Sequence, residues 1–313
     1  KASSVYYISN TEIVEACDLF DVELPEDGMF TMFADFLRKT YAKSIAQLNV
    51  IDFDDMIFQP VYRAMSALKE DFVFVDEAQD LNPIQIDMLA MFEGKGAKIV
   101  AVGDRNQAIY AFRGADPRSM DRIISEFDAT IYPLTMCFRC PKTVIAEAQK
   151  IVPAIRPSDH ADEGAVIVSG QEGYLPENGH FVLCRVTAPL VSDCLKFIRA
   201  GKKATVRGRD IGKALIDLIK KTEATNFTTT EDGVVLLNAY VSGRIAYYLK
   251  RDQHNKVGAL EDRADTIEAV YSDCQTVGEA ISKIEAIFSD TDSPGITLCT
   301  VHRSKGLEAP VIW

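Results

Sequence analysis

The sequence predicts an α/β fold built on doubly wound parallel sheets. Three observations support this prediction. Two mainly apolar runs, Phe72–Val75 and Lys98–Val102, have the length and the abrupt borders of buried strands. Segments in which apolar residues recur at helical spacing separate these runs. The same alternation of strands and helices begins again at residue 180, which predicts a second α/β domain.

The first 70 residues are expected to be mainly helical. Apolar residues recur at helical spacing from Met29 to Tyr41 and again from Met56 to Leu68. Acidic residues in the segment 51–57 lie between these two stretches. We expect them to cap the N-terminus of the second helix, where free amide groups and the helix dipole favour negative charge.

Strands and helices then alternate up to residue 152. The predicted elements after the first strand are helices Pro83–Phe92, Pro117–Phe127 and Pro141–Val152 and a third short strand Thr130–Leu134. The first of these helices follows Asn82 and the second follows Asp116. Both residue types begin helices when a proline occupies the first turn.

Residues 153–179 are rich in Pro, Gly, Asp and Glu, which indicates a domain boundary. The second α/β pattern follows, with strand 180–184, helix 189–200, strand 204–206 and helix 210–220. Residues 222–294 are expected to be mainly helical, apart from a strand at Gly233–Leu237. Strands are predicted again at 295–301 and from residue 310 onwards.

Composition limits the class of protein. The 313 residues are enough for two domains, and 47% hydrophobic and 26% charged residues are ordinary for a globular protein. No apolar run reaches the roughly 20 residues of a membrane span, and no export leader is recognised. We therefore expect a cytoplasmic protein, of a bacterial or phage-infected cell, or a nuclear one, without membrane partners.

The cysteines and the net charge exclude fewer classes of protein than the overall composition does. Seven scattered cysteines indicate reduced thiols, and the lone pair Cys137 and Cys140 has no second pair with which to form a metal site. A formal charge of −12 is unusual for a nucleic-acid-binding protein. A local groove of positive potential is sufficient for such a partner, however, so the net charge does not exclude DNA.

The residues that follow the first strand are chemically distinctive. Asp76 and Glu77 would emerge at the carboxyl edge of a parallel sheet, where such sheets place their ligands. One carboxylate can hold Mg²⁺ while the other orients or deprotonates a water molecule. The alternative is that these acids only cap the helix that follows.

Five segments together carry a resemblance to a known family. They are DEAQD (76–80), VGDRNQAIYAFRGA (102–115), LTMCFRCP (134–141), FVLCRVT (181–187) and CTVHRSKGLEAP (299–310). In this order they resemble motifs II, III, IV, IVa and V of the UvrD/Rep-like superfamily 1 DNA helicases. The resemblance extends from about residue 50 to residue 313.

The resemblance implies two RecA-like motor domains of the P-loop NTPase fold, the first of them incomplete, with a small helical insertion. Residues 1–155 would belong to the first motor domain and residues 156–221 to the start of the second. Residues 222–294 would form the insertion, a reduced form of the family's domain 2B. Residues 295–313 would return to the second motor domain.

The resemblance also implies ATP and Mg²⁺ as cofactors. Asp76 and Glu77 would bind the metal and serve in catalysis, Gln107 would report on the γ-phosphate, and Arg139 would bind phosphate oxygens. Phe138 would stack on the base, and Glu308, with Gly306 beside it in motif V, would bind the ribose. For Arg139 considered alone, an ordinary surface ion pair is the alternative.

Single-stranded DNA, or its junction with a duplex, is the implied partner. Tyr110, Phe112 and Arg113 combine aromatic rings with a cation, as sequence-independent binding of single strands requires. Packing in the core is the alternative for these aromatic residues. Arg185, Thr300 and His302 would contact the DNA backbone. Six basic residues could form a further phosphate groove or simply a solvated helix face: Arg199, Lys202, Lys203, Arg207, Arg209 and Lys213.

The implied activity is that of an ATP-dependent DNA helicase or translocase moving 3′ to 5′, as in DNA repair or replication. The family's phosphate-binding motif I, which ends in Gly-Lys-Ser/Thr, and its arginine-bearing motif VI are absent from the sequence. We therefore expect this chain by itself to be inactive. The alternative is a non-catalytic DNA-binding or scaffold fragment of a helicase–nuclease complex. A loading partner, the pathway and the oligomeric state are left open.

Overall fold

The computed structural model describes residues 8–19, 22, 24–25, 28–47, 49–109, 115–168, 170, 173–289 and 295–313. The chain forms two compact units. Unit 1 comprises Lys1–Cys137 and Ala154–Arg156, and unit 2 comprises Phe138–Pro153 and Pro157–Trp313. Each unit is described separately.

Unit 1 begins with three helices: α1 (Asn10–Leu19), α2 (Phe30–Ala46) and α3 (Phe53–Tyr62). The apolar spacing predicted α2 and α3, although α3 ends before Leu68. Ile13, Cys17 and Ala34 form a small core that α1 and α2 share. The predicted acidic cap of α3 is confirmed. The amide of Asp55 donates to Asp52 Oδ1 at 2.8 Å, and the amide of Asp52 donates to Asp55 Oδ2 at 3.3 Å.

A parallel pair of strands follows, β1 (Phe72–Val75) and β2 (Lys98–Ala101), connected by helix α4 (Pro83–Glu93). Asn82 caps α4 by accepting from the amide of Gln85 at 2.9 Å. Helix α5 (Ser119–Glu126) follows β2, and its Ile123 joins Ala78 and Ile86 in a second small core. The predicted order of strands and helices is therefore confirmed here.

Two predictions about strands in unit 1 were wrong. β1 is not buried on both faces, because the side chains of Phe72 and Phe74 are 52% and 75% exposed while Val73 and Val75 lie half-buried. Only one face of the two-stranded sheet is covered within the described residues. Segment 130–134 is not a strand: it has no regular structure and Leu134 is 86% exposed.

One short strand lies slightly later than the predicted segment 130–134, and a second short strand was not predicted. β3 is Met136–Cys137 and β4 is Arg156–Pro157. The amide of Arg156 donates to the carbonyl of Thr135 at 2.7 Å, and this contact gives the chain after residue 134 its extended form. The predicted helix 141–152 is confirmed in part, since α6 covers Lys142–Ala148 in unit 2.

Unit 2 contains a four-stranded parallel sheet in the order β5-β8-β6-β7. Its strands are β5 (Phe181–Cys184), β6 (Ala204–Arg207), β7 (Phe288–Ser289) and β8 (Ile296–Thr300). Cys184 lies opposite Thr300, and Val206 opposite Leu298. The predicted last strand is present as a short bridge: the amide of Trp313 donates to the carbonyl of Phe181 at 2.8 Å.

Five helices pack with this sheet: α7 (Thr187–Arg199), α8 (Arg209–Lys221), α9 (Thr230–Leu249), α10 (His254–Tyr271) and α11 (Val277–Ile287). One hydrophobic core joins the sheet to all five helices through residues such as Leu190, Leu215, Leu237, Ile267, Ile284 and Leu298. The assignment of 222–294 as a separate insertion stays a prediction. None of the described helices is both long and apolar enough to span a membrane.

The strand predicted at Gly233–Leu237 was wrong, because these residues lie in α9. Thr229 caps this helix by accepting from the amide of Asp232 at 3.2 Å. A Cβ atom at Gly233 would lie 3.0 Å from the ring of Tyr271, so the glycine allows α9 and α10 to pack closely. Burial of Leu237 against the common core then favours the helix over a strand.

Candidate functional site

Unit 1 carries an acidic edge, formed by Asp76 and Glu77 directly after β1. Both side chains are exposed, and the amide of Glu77 donates to Asp76 Oδ1 at 2.9 Å. Glu77 has φ of 50°, in the left-handed region that is unfavourable for residues other than glycine. The turn is held because the amide of Ala78 donates to the carbonyl of Val102 at 2.9 Å.

Gln79 is a functional candidate that the sequence reasoning missed. Its side chain is only 1% exposed, donates to Glu77 Oε2 and accepts from the amide of Asp104 at 2.9 Å. A Cβ atom at Gly103 would lie 2.6 Å from Gln79 Oε1, so only glycine leaves room for this amide. The available signal was the position of Gln79 within the segment DEAQD (76–80), four residues after the end of β1.

Gln107 is connected to the acidic edge through the same hydrogen bonds. Its side-chain amide donates to Asp104 Oδ2 at 2.9 Å, and Asp104 also accepts from the amide of Asn106 at 2.9 Å. A chain of hydrogen-bonded residues therefore runs from Glu77 through Gln79 and Asp104 to Gln107. The structure brings together two predicted ATP residues that are 30 positions apart in the sequence. Tyr110, Phe112 and Arg113 lie outside the described residues.

The acidic edge fits a magnesium ion better than an all-protein metal site. Among the residues that the structure describes, no three His, Cys, Asp or Glu side chains are grouped as metal ligands. Mg²⁺ keeps several waters and takes one or two carboxylates together with substrate phosphates. Two adjacent exposed carboxylates, Asp76 and Glu77, match that requirement.

Unit 2 contains an open cleft of about 520 Å³ that gathers three of the other predicted nucleotide residues, Arg139, Gly306 and Glu308. Its lining residues are Arg139, Gly179, Phe181, Arg207, Thr297, Gly306, Leu307 and Glu308. Arg139 Nε lies 3.1 Å from Glu308 Oε2, although the two residues are far apart in the sequence. Both side chains are largely exposed, 65% and 73%, so a ligand can reach them.

The turns around this cleft explain how these side chains meet. Gly306 has φ of 80°, which places it in a turn that favours glycine, and the amide of Leu307 donates to the carbonyl of Ser304 at 2.9 Å. This turn follows β8 and directs the chain so that Glu308 reaches Arg139. Phe138, the neighbour of Arg139, is 80% exposed, as a stacking residue requires.

Three of the six basic residues of segment 199–213 have different surroundings. Arg199 Nε donates to Asp273 Oδ1 at 2.9 Å, and Lys202 Nζ donates to the carbonyl of Pro176 at 2.8 Å. Both contacts stabilise the packing of unit 2. Arg207 instead lines the cleft that contains Arg139, so the lining of this cleft includes two arginines.

The predicted DNA residues of unit 2 lie together on a cationic edge, formed by Arg185, Thr300 and His302. Arg185 directly follows β5, Thr300 ends β8, and these strands are neighbours in the sheet. Arg185 Nη1 lies 3.4 Å from His302 Nδ1. Burial, and then the charge of Arg185, lowers the pKa of His302, so the imidazole is neutral at pH 7.

Asp262 supports the cationic edge from α10 and was not expected from the sequence. Its carboxylate accepts from the amide of Thr187 and from the amide of Ala188, each at 3.0 Å. These amides belong to the first turn of α7, which begins two residues after Arg185. A carboxylate at a helix N-terminus binds free amide groups and favours the helix dipole. Asp262 and Thr187 are 75 positions apart in the sequence, so no local signal indicated this contact.

Comparisons with known proteins agree with the motifs. Residues 23–128 match the family model of the UvrD/REP helicase N-terminal domain. The ATP-dependent DNA helicase Rep of Escherichia coli K12 is 33% identical over 97 residues, which are 28% of this chain and 14% of that protein. The ATP-dependent DNA helicase UvrD2 of Mycobacterium tuberculosis H37Rv is 31% identical over 315 residues, which are 83% of this chain and 44% of that protein. The chain thus spans less than half the length of either relative.

Proposed function

Because the chain belongs to the UvrD/Rep-like helicase family, we propose that it acts in an ATP-dependent DNA helicase. The proposed enzyme couples Mg-ATP hydrolysis to 3′ to 5′ movement along single-stranded DNA. The observation that carries this proposal is the cleft of unit 2, where Arg139 from motif IV meets Glu308 and Gly306 from motif V.

The cleft offers complementary groups for a nucleotide. The planar guanidinium of Arg139 binds phosphate oxygens with fixed geometry, and Arg207 adds positive charge nearby. The carboxylate of Glu308 can accept hydrogen bonds from ribose hydroxyl groups, and the exposed ring of Phe138 can stack on a base. In the structure Arg139 and Glu308 neutralise each other, and a bound nucleotide would provide each with its own partner.

The acidic edge of unit 1 supplies the hydrolytic groups in this proposal. Asp76 and Glu77 would hold Mg²⁺, which offsets the charge that develops on the transferred phosphate. Glu77 also orients the attacking water and accepts its proton at the carboxylate. Gln79 holds one oxygen of that carboxylate, so the position of Glu77 depends on Gln79 and, through Asp104, on Gln107.

The proposed track for DNA in unit 2 is the cationic edge. Arg185 provides a permanent charge for the phosphate backbone, and Thr300 and neutral His302 provide hydrogen-bonding groups beside it. In unit 1 the sequence places Tyr110, Phe112 and Arg113 a few residues after Gln107. This spacing would let the state of the nucleotide change a base-stacking contact.

The test is the ATP turnover of the full-length protein with and without single-stranded DNA. We expect Arg139→Ala to lower the turnover by about 100-fold or more, as removal of a preorganised charge from a transferring phosphate does. Arg139→Lys should recover little of the lost turnover, because the ammonium group lacks the planar, bidentate geometry of a guanidinium.

Arg118→Ala is the matched control, since Arg118 is an exposed arginine in unit 1 that lies outside the proposed site. It should leave the turnover nearly unchanged. A wild-type rate for Arg139→Ala would rule out the nucleotide role of the cleft.

A further inference from the structure

A basic corner lies where α9 ends and α10 begins. It consists of four cationic residues within 13 positions of the sequence: Arg244, Lys250, Arg251 and Lys256. The same segment contains one acid, Asp252, so its formal charge is +3, whereas the whole chain carries −12. A local excess of positive charge on a negatively charged chain is the electrostatic feature that attracts a polyanion.

Cation–π contacts hold this corner in place. The guanidinium of Arg244 lies 4.8 Å from the ring centre of Tyr247 and 4.9 Å from that of Tyr248. The guanidinium of Arg251 lies 4.4 Å from the ring of Tyr247, and Lys256 Nζ lies 5.6 Å from the ring of Tyr248. Long basic side chains that are ordered before binding lose less entropy when they meet a ligand.

These contacts also indicate which part of a nucleic acid fits. The ring of Tyr247 already has two guanidinium groups against it, and Tyr248 is only 4% exposed. Neither ring is therefore a platform for a base. The exposed residues Lys250 and Arg251 present charge instead, which suits phosphate groups and carries no base preference.

Helix α10 connects the basic corner to the cationic edge. Lys256 lies in its first turn, and Asp262, which binds the amides of Thr187 and Ala188, lies six residues later. Six residues correspond to about 9 Å of helix. At roughly 3.4 Å per nucleotide along a duplex strand, this length of helix corresponds to about three nucleotides, so the basic corner and the start of α7 lie within the span of a short oligonucleotide.

We propose that the basic corner binds the phosphodiester backbone of DNA as a second contact beside the cationic edge. This inference rests on the proposed function, which makes DNA the ligand. It adds a binding surface on helices of unit 2 that carry none of the helicase motifs. The contact is electrostatic and independent of sequence.

The experiment is a fluorescence anisotropy titration of the 313-residue chain with a labelled single strand and with the corresponding duplex, at several salt concentrations. The double variant Lys250→Ala, Arg251→Ala should reduce the slope of log K against log salt by about 1.4–1.8, since each phosphate contact contributes about 0.7–0.9. Affinity at about 0.1 M salt should fall by about tenfold. The oligonucleotide that shows the change identifies whether the corner holds a single strand or a duplex.

Two further variants distinguish charge from fold. Lys220→Ala, Lys221→Ala removes the same charge from the exposed end of α8 and should leave the slope unchanged. Lys250→Arg, Arg251→Lys keeps the charge and should retain wild-type binding. If the alanine variant of the corner behaves like the α8 control, the proposal is overturned.

Arg185→Ala separates this inference from the proposed function. If Arg185→Ala and the corner variant each weaken DNA binding, both surfaces are supported. A loss with Arg185→Ala alone overturns the basic corner and leaves the DNA track of the proposed function standing. A loss with the corner variant alone supports the corner and overturns the role of Arg185. A wild-type chain that binds neither oligonucleotide at low salt overturns both.

Discussion

At the scale of single residues, Glu77 combines an unfavourable backbone conformation with a fixed side chain. Its φ of 50° costs on the order of 1–3 kcal/mol and persists because neighbouring contacts determine it. The hydrogen bond from Gln79 and the close approach of Gly103 hold the carboxylate at the end of β1. Such a fixed carboxylate is what a general base for water requires.

We therefore expect Glu77→Gln to keep nucleotide binding in the full-length protein and to lower ATP turnover by about 100-fold or more. The substituted amide still offers an oxygen to Gln79, so the turn should be preserved while the base is lost. Steady-state ATPase assays measure the effect, and Glu70→Gln, an exposed change just before β1, is the control. A rate near that of the control would mean that Glu77 is not the base.

At the scale of elements, the sequence predicted those strands and helices whose ends are marked by nearby residues in the sequence. The strands at 181–184, 204–207 and 296–300 are apolar runs with sharp ends, and Asn82 and Asp52 cap their helices as expected. Gly233–Leu237 was misread because a short apolar run with β-branched residues fits a strand or a buried helix equally well. Contacts between distant residues, such as that of Asp262 with the start of α7, leave no periodic pattern to detect.

The contact of Asp262 predicts that α10 stabilises the start of α7. Asp262→Ala removes three hydrogen bonds to the amides of Thr187 and Ala188, and loss of a helix cap costs about 0.5–2 kcal/mol. We expect a decrease of that size in the free energy of unfolding of unit 2, measured with urea. Asp265→Ala, an exposed acid on the same helix, should change it by less than about 0.5 kcal/mol. Equal effects of the two variants would contradict the capping role.

At the scale of the whole molecule, the two units differ in how much apolar surface they bury. Unit 2 has one core shared by a four-stranded sheet and five helices. The described part of unit 1 has two small cores and leaves Phe74 and Leu134 mostly exposed. The sequence could not predict this contrast, because equally apolar strands are buried in unit 2 and half-exposed in unit 1.

Hydrogen exchange of the 313-residue chain should therefore show lower protection in unit 1 than in unit 2. Each fully buried aliphatic side chain contributes about 1.5–3 kcal/mol, so a core with few of them opens at a lower free energy. We expect β1, β2 and α4 to exchange at least about tenfold faster than β6 and β8, which is about 1.4 kcal/mol. Ile86→Ala should widen this difference, and Leu215→Ala, at a position equally buried in unit 2, should narrow it. Equal protection of the two units in the unsubstituted chain would mean that the small cores of unit 1 are as stable as the large core of unit 2.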